Sequence, residues 1–216
     1  MFVPDQYREP EGSWIVDLVR KNPLAQLVSN GADGNAPYAT HVPVILDPTL
    51  LEQPAELPGA TLWGHMNRAN PHWSALGDTT PVVVTFTGPH AYVSPTVYEK
   101  TPAAPTWNFT AVHVRGVLHK MGAAEDTLDV VKATVRALEA EFGTGWDMSH
   151  SMDHFHRILP GVGAFRIEVS QADGMFKLSQ EQEYETRERV RCSFAGQPSS
   201  NQRGVAAMMS RLPATG

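Results

Sequence analysis

The side chains of this sequence that could do chemistry near neutral pH include nine histidines. Imidazole is the commonest metal ligand among protein side chains, and it titrates close to neutral pH. His65 ends a short apolar segment directly after a glycine, and Arg68 and Asn70 follow within five residues. Asn70-Pro71 predicts a helix start, and the amides of a helix N-terminus attract anions. The pattern alone therefore leaves two interpretations open: a plain turn capped by Asn70, which it favours, and a ligand-binding position at His65.

Three more histidines lie close together in the segment HSMDHFH, as His150, His154 and His156, beside Asp153. On one helix, His150 and His154 would share a face, four residues apart, which is a spacing that can bind a metal. The glutamate of the HExxH zinc motif is missing. We interpret the segment as a solvated helix face.

The remaining candidates are single side chains. His41 and His113 each alternate with apolar residues, and the pattern alone indicates strand histidines with hydrogen-bond partners. Lys177 lies inside a strand pattern near Ser179, so it either faces solvent or reaches a phosphate or carboxylate across a cavity. Cys192 has no base motif beside it and lies in a charged segment, so we interpret it as incidental.

Composition excludes several classes of protein. The 216 residues are 42% hydrophobic and 19% charged, which is typical of a globular chain and not of a disordered one. A net charge of -6 argues against a dedicated nucleic-acid binder. A single cysteine excludes an internal disulfide framework. The sequence has no GxGxxG after a strand, no GxxxxGK[ST] and no GxSxG, so these nucleotide and nucleophile motifs carry no function here.

We expect a cytoplasmic chain without a membrane anchor. Asp5, Arg8 and Glu9 interrupt the first residues before any apolar signal region can form. The longest apolar run, residues 81–88, fits a buried strand and is far shorter than the roughly 18 residues that a membrane span requires.

The elements that must position these residues follow from hydrophobic periodicity. Helices are predicted at 11–21, 125–142 and 147–158, with a short one beginning at Asn70-Pro71. Strands are predicted at 24–30, 36–46, 61–66, 81–88, 90–94, 106–121, 162–170 and 174–180, the last two around a turn at Gln171-Ala172-Asp173. Helices inserted between hairpins favour a closed antiparallel barrel in one domain. The charged segment 181–203 is expected to be a lid or disordered.

Six segments occur in order between residue 1 and about residue 180: MFVPDQY, ATHVPV, GHMNRANPHW, GPHAYVSP, PTWNFTAVHVRG and GMFKLSQ. Together they resemble the PaiB-like family of FMN-binding negative transcriptional regulators. The resemblance implies a mainly β fold with helical insertions, a split β-barrel of the pyridoxamine-phosphate-oxidase type. It also implies a homodimer with the cofactor near the subunit interface. Residues 1–180 would be the cofactor-binding barrel, and 181–216 a charged segment and short helix of the same domain.

The C-terminal part departs from that family, in which KLSQN passes quickly into a terminal helix. Here Glu181 follows KLSQ, and a longer charged stretch comes next. The opening residues, the GHMNRAN block and this long tail resemble a subgroup, the piperazate synthases, which use haem b. The implied reaction is cyclisation of L-N5-hydroxyornithine to L-piperazic acid by N–N bond formation, with loss of water. The alternative is an FMN-binding transcriptional regulator, and a cofactor-free interaction module is disfavoured by the polar motifs.

The resemblance also implies roles for single residues. His65 would be the axial ligand of the haem iron. Lys177, His41 and Ser179 are candidates for the general acid and base, which must protonate the departing hydroxyl and deprotonate the α-amine.

The other implied residues would hold the cofactor. Arg68 and Asn70 lie in the same motif as His65, and the planar guanidinium of Arg68 suits a haem propionate or a substrate carboxylate. Tyr92 and Trp107 would supply apolar walls for the porphyrin. The expected partners are an N-hydroxylated ornithine and a second copy of the chain, with no nucleic acid and no membrane.

Overall fold

Six antiparallel strands close into one barrel in a computed structural model that describes residues 1–11, 13–31, 36–50, 52 and 54–213. Around the barrel the order is β1-β2-β3-β6-β5-β4, and β4 returns to pair with β1. The strands are β1 (Leu24–Ser29), β2 (Tyr38–Leu46), β3 (Thr61–Asn67), β4 (Thr79–Val93), β5 (Thr106–Lys120) and β6 (Val162–Lys177). The predicted closed antiparallel barrel is confirmed.

The barrel interior follows from strict alternation along the strands. In β5, Val112, Val114 and Leu118 are fully buried together with Gly116, while His113, Arg115 and Val117 alternate with them and face outward. Successive strand residues point to opposite faces of a sheet, so this period of two places one apolar face inside. Phe86 and Phe165 complete the same interior from neighbouring strands.

Helices close and cover the barrel. They are α1 (Ser13–Lys21), α2 (Pro71–Ala75), α3 (Ala124–Phe142), α4 (Met152–Ile158), α5 (Tyr184–Ala195) and α6 (Ser200–Met209). Trp14 of α1 packs edge-to-face on Phe176 of β6, with ring centroids 5.3 Å apart. α3 contacts β2, β3 and β6. No helix in the described ranges is long and apolar enough to cross a membrane.

The sequence predicts that residues 90–94 either extend the strand at 81–88 or pair with it, and they extend it: both lie in β4, which has a register shift between Thr87 and His90. One predicted break in a strand is wrong. The predicted turn at Gln171-Ala172-Asp173 lies inside β6, where these residues pair with β5. β5 is 15 residues long and offers partners along its whole length, so the polar stretch stays paired. A register shift between Arg115 and Gly116 accommodates it.

Of the two alternatives for 181–203, disorder is wrong for most of the segment, because α5 and the first residues of α6 are helix. Thr186, Val190 and Phe194 recur every fourth residue and are all buried. This spacing is one face of a helix, hidden by the many charges between its members.

In the predicted hairpin of β1 and β2, the strands pair as expected, and residues 32–35 of its turn lie outside the described residues.

Candidate functional site

A cleft of about 540 Å³ lies on the outer side of β2 and β3, beside the start of β6. A volume of this size is typical of small-molecule sites. Its walls include Thr40, His41, His65, Asn67, Asn70 and Val162. Three of the residues predicted from sequence, His41, His65 and Asn70, therefore line one cleft.

His65 lies on the outward face of β3, where it pairs with Ala164 of β6. Its Nδ1 atom is buried and has no hydrogen-bond partner among the described residues. Burial lowers the pKa of the imidazole, so the ring is neutral at neutral pH. A neutral imidazole that no protein group occupies is able to bind a metal.

Asn70 holds the turn that follows His65. Its Oδ1 accepts a hydrogen bond from the His72 amide at 2.9 Å, and its Nδ2 donates to Thr40 Oγ1 at 3.5 Å. Pro71 occupies the first turn of α2, so the predicted helix cap is confirmed. The amide of Asn70 thus connects α2 with the β2 wall of the cleft.

Arg68 joins the same turn to the start of β6. Its amide donates to Gly161 O at 2.9 Å, and its Nε donates to Val162 O at 2.7 Å. The side chain is exposed and lies over the Trp73 ring at 5.7 Å. Within the described residues its two terminal nitrogens have no partner, so they remain available to an anion beside the cleft.

His72 is the residue of this region that sequence reasoning missed. It is fully buried, with Nε2 2.9 Å from Ser29 Oγ and Nδ1 2.9 Å from Thr40 Oγ1, and it stacks on Tyr38. Burial lowers its pKa, so the ring is neutral. The two hydroxyls come from residues 43 and 32 positions earlier, so no local spacing could have revealed them.

Lys177, Tyr92 and Trp107 lie together at another part of the barrel. Tyr92 and Trp107 are cross-strand partners, 50% and 49% exposed, with ring centroids 6.0 Å apart. Lys177 Nζ donates to Thr106 Oγ1 at 2.6 Å. This arrangement is a half-exposed aromatic surface with a cation at its side.

Ser179 is enclosed rather than presented to a ligand. It is fully buried, has φ of +64°, and exchanges hydrogen bonds with the Asn108 side chain at 2.8 and 3.2 Å. The pair ties the end of β6 to β5, so Ser179 positions the chain next to Lys177.

Within one chain, the two groups of predicted residues are far apart. His65 pairs with Ala164, whereas Lys177 pairs with Phe109 thirteen residues further along β6. At about 3.3 Å per residue this is roughly 40 Å of strand. The structure therefore gathers His41, His65 and Asn70, with Arg68 beside them, but does not bring the Lys177 group to the same cleft.

The histidine-rich segment is not the single helix that was predicted for 147–158. Met148–Ser151 forms a 3-10 turn, and α4 begins only at Met152. His150, His154 and His156 are exposed, and His154 Nδ1 lies 3.3 Å from a guanidinium nitrogen of Arg157. Across the described part of the chain, no group of three or more His, Cys, Asp or Glu side chains could hold a metal ion.

Comparison with known families decides the family. The sequence model described as "Putative FMN-binding domain" matches residues 1–171. The chain belongs to this FMN-binding-domain family. One relative is "Protease synthase and sporulation protein PAI 2" of Bacillus subtilis (strain 168). It is 27% identical over 183 residues, which cover 83% of this chain and 82% of the relative. These matches confirm the resemblance of the six motifs to the PaiB-like family of FMN-binding-domain proteins.

Solved structures share the split-barrel fold of this chain. The FAD and haem binding protein from Mycobacterium smegmatis is 14% identical with a TM-score of 0.53, covering 83% of this chain and 78% of the other. The flavocytochrome Anf3 from Azotobacter vinelandii is 11% identical with a TM-score of 0.54, covering 83% and 74%. At such identities the likeness concerns the fold alone.

Proposed function

We propose that this member of the FMN-binding-domain family is a haem b enzyme that cyclises L-N5-hydroxyornithine to L-piperazic acid. One observation carries the proposal: His65 lines the cleft with a neutral imidazole whose buried Nδ1 has no partner among the described residues. An unpaired buried polar atom costs about 1–3 kcal/mol, which a ligand bound by the ring would offset. The haem-binding neighbour and the motifs around GHMNRAN support the same assignment.

The residues of the cleft fit this cofactor. His65 would ligate the iron, and the free guanidinium nitrogens of Arg68 would pair with a propionate. Haem bound there would supply a Lewis-acid iron that polarises the N–O bond of the substrate.

The reaction is redox neutral and needs two proton movements. The α-amine attacks N5, the N–N bond forms, the N5–O bond breaks, and the departing hydroxyl leaves as water after gaining a proton. His41 lies on β2 in the same cleft and is exposed, so its imidazole can accept the proton of the α-amine or deliver one to the leaving oxygen. The hydrogen bond from Asn70 to Thr40 fixes the part of β2 that carries His41.

Lys177 enters this proposal only through a second copy of the chain. Its distance from His65 within one chain is too great for both to touch one small molecule. The outer face of β4 and β5 carries half-buried Val83 at one end and Phe109 and Ala111 at the other, with Thr85 and His113 between them. A second copy would cover this strip. In the proposed homodimer, Lys177, Tyr92 and Trp107 of one copy approach the His65 cleft of the other.

The alternative is a flavin-binding transcriptional regulator, favoured by the family description and by the Bacillus relative. Arg68 would then hold the FMN phosphate instead of a propionate. The net charge of -6 disfavours direct binding to DNA.

An absorption spectrum of the purified protein tests the proposal. We expect a Soret band and about one iron per chain, both lost in His65→Ala because the ring is the ligand. His150→Ala removes an exposed histidine outside the cleft and should leave the band unchanged. With L-N5-hydroxyornithine, the native protein should form a product lighter by one water. A yellow protein with flavin and no iron would overturn the haem assignment in favour of the alternative.

A further inference from the structure

Opposite charges without ion-pair partners flank one tyrosine at the end of β6. Glu181 Oε2 accepts a hydrogen bond from the Tyr7 hydroxyl at 3.2 Å. Lys177 Nζ lies 5.7 Å from the centroid of the Tyr7 ring. Neither charge forms an ion pair with any described residue; their other hydrogen bonds go to Thr106 and Gln182. We call Tyr7, Lys177 and Glu181 the Tyr7 cluster.

The carboxylate of this cluster affects two buried phenols. Tyr7 and Tyr98 are only 8% and 3% exposed. The pKa of each is raised, first by burial and then by further effects that include the charge of Glu181. Both phenols are therefore neutral, and Tyr7 serves as a fixed donor that orients Glu181. No described cation neutralises that carboxylate, so it is free to receive a cationic group from a ligand.

Apolar surface adjoins the charges. Lys177 pairs with Phe109, which lies two residues from Trp107 on the same face of β5. The half-exposed rings of Trp107 and Tyr92 form the aromatic surface described above. The molecule thus presents an anion, a cation and an exposed aromatic wall close together. A small zwitterion with an aliphatic chain has the complementary groups.

We propose that the Tyr7 cluster binds the head of a free α-amino acid, with Glu181 on the ammonium, Lys177 on the carboxylate, and the side chain along Trp107 and Tyr92. The inference deepens the proposed function, because L-N5-hydroxyornithine is such an amino acid. Glu181 then becomes a substrate-binding residue, which the motif pattern did not indicate. The role of Lys177 becomes recognition of the carboxylate rather than proton transfer.

The test measures calorimetric binding of L-ornithine to the purified full-length protein, alongside two analogues that each lack one charge. Putrescine lacks the carboxylate, and 5-aminopentanoate lacks the α-amine. We expect L-ornithine to bind more tightly than either. Glu181→Gln should weaken L-ornithine binding about tenfold or more, since a charge-assisted contact is lost, and should leave 5-aminopentanoate unchanged. Lys177→Met should weaken L-ornithine similarly and leave putrescine unchanged.

Controls separate recognition from general charge. Glu183→Gln removes the same charge two residues away, from an exposed side chain that makes no capping hydrogen bond, and should not change binding. Tyr7→Phe removes only the hydroxyl that orients Glu181 and should cause a smaller loss than Glu181→Gln. Equal L-ornithine affinity in the native protein and in a folded Glu181→Gln variant would overturn the proposal. Absence of L-ornithine binding to the native protein would also overturn it.

The same samples distinguish this inference from the proposed function. If no Soret band appears but L-ornithine binding depends on Glu181 and Lys177, the amino-acid site stands and the haem assignment falls. If the haem band and the product appear but binding ignores both substitutions, the amino-acid site alone is wrong.

Discussion

His65 and His72 are seven residues apart, and both are neutral because burial lowers their pKa. The hydrogen bonding of their ring nitrogens differs. Both nitrogens of His72 contact hydroxyls at 2.9 Å, whereas the buried Nδ1 of His65 has no partner in the described part of the chain. Buried polar groups in folded proteins are nearly always paired. The unpaired ring is therefore the one to which the proposed function assigns a ligand, and the paired ring holds α2 against β1 and β2.

The paired ring gives a prediction about pH and stability. The pKa of His72 is lower in the folded chain than the roughly 6.5 of an unfolded one. The unfolded state then binds more protons, so His72 contributes stability above about pH 6.5 and loses it as the pH falls through that value toward the folded pKa. Urea unfolding at about pH 8 and about pH 5.5 should show a smaller acid loss for His72→Gln than for the native protein. Identical losses would contradict the assignment.

At the scale of elements, the pairing of β5 with β6 depends on a close approach of the two backbones at the register shift. A Cβ on Gly116 would overlap the backbone oxygen of Glu168 and crowd Ile167. Backbone cannot move aside as a flexible side chain can, so the pair of strands must separate locally. Glycine is required there by close approach, and not by a positive φ.

Gly116→Ala should accordingly lower the free energy of unfolding by about 1–3 kcal/mol. Gly122→Ala makes the same change six residues later, where a Cβ meets nothing within 4 Å, and should have little effect. Equilibrium denaturation measures both. Equal stabilities of the two variants would show that the close approach of β5 and β6 tolerates a methyl group.

Elements set by local pattern were predictable, and those set by distant partners were not. The Asn70 cap and the span of α3, predicted at 125–142, depend on neighbours within four residues, so the sequence reveals them. The continuity of β6 through Ala172 depends on β5, and the burial of Val190 depends on α5 packing against the rest of the chain. The same division applies to the site: His65 has a local motif, whereas the Ser29 and Thr40 contacts of His72 come from other strands.

At the scale of the whole molecule, one chain carries two separated halves of a proposed site. We predict that the purified protein has twice the 23.6 kDa mass of one chain in light scattering. Val83→Lys places a charge on the half-buried outer strip of β4 and should shift the mass toward that of one chain and weaken the haem band. Leu50→Lys adds the same charge at an exposed leucine elsewhere and should do neither. A monomeric native protein with full activity would refute the two-copy site.

The packing of α1 on β6 has a consequence for biosynthesis. Trp14 contacts Phe176, and Ile15 lies against Gly174, so the first helix packs on a strand made some 160 residues later. During translation α1 can meet β2, β4 and β5 earlier, but its contacts to Phe176 and Gly174 are missing until β6 leaves the ribosome. Contacts this distant in sequence form slowly and leave apolar surface open to association. Nascent chains stalled before β6 should therefore be held by chaperones, and those extending past it should be released.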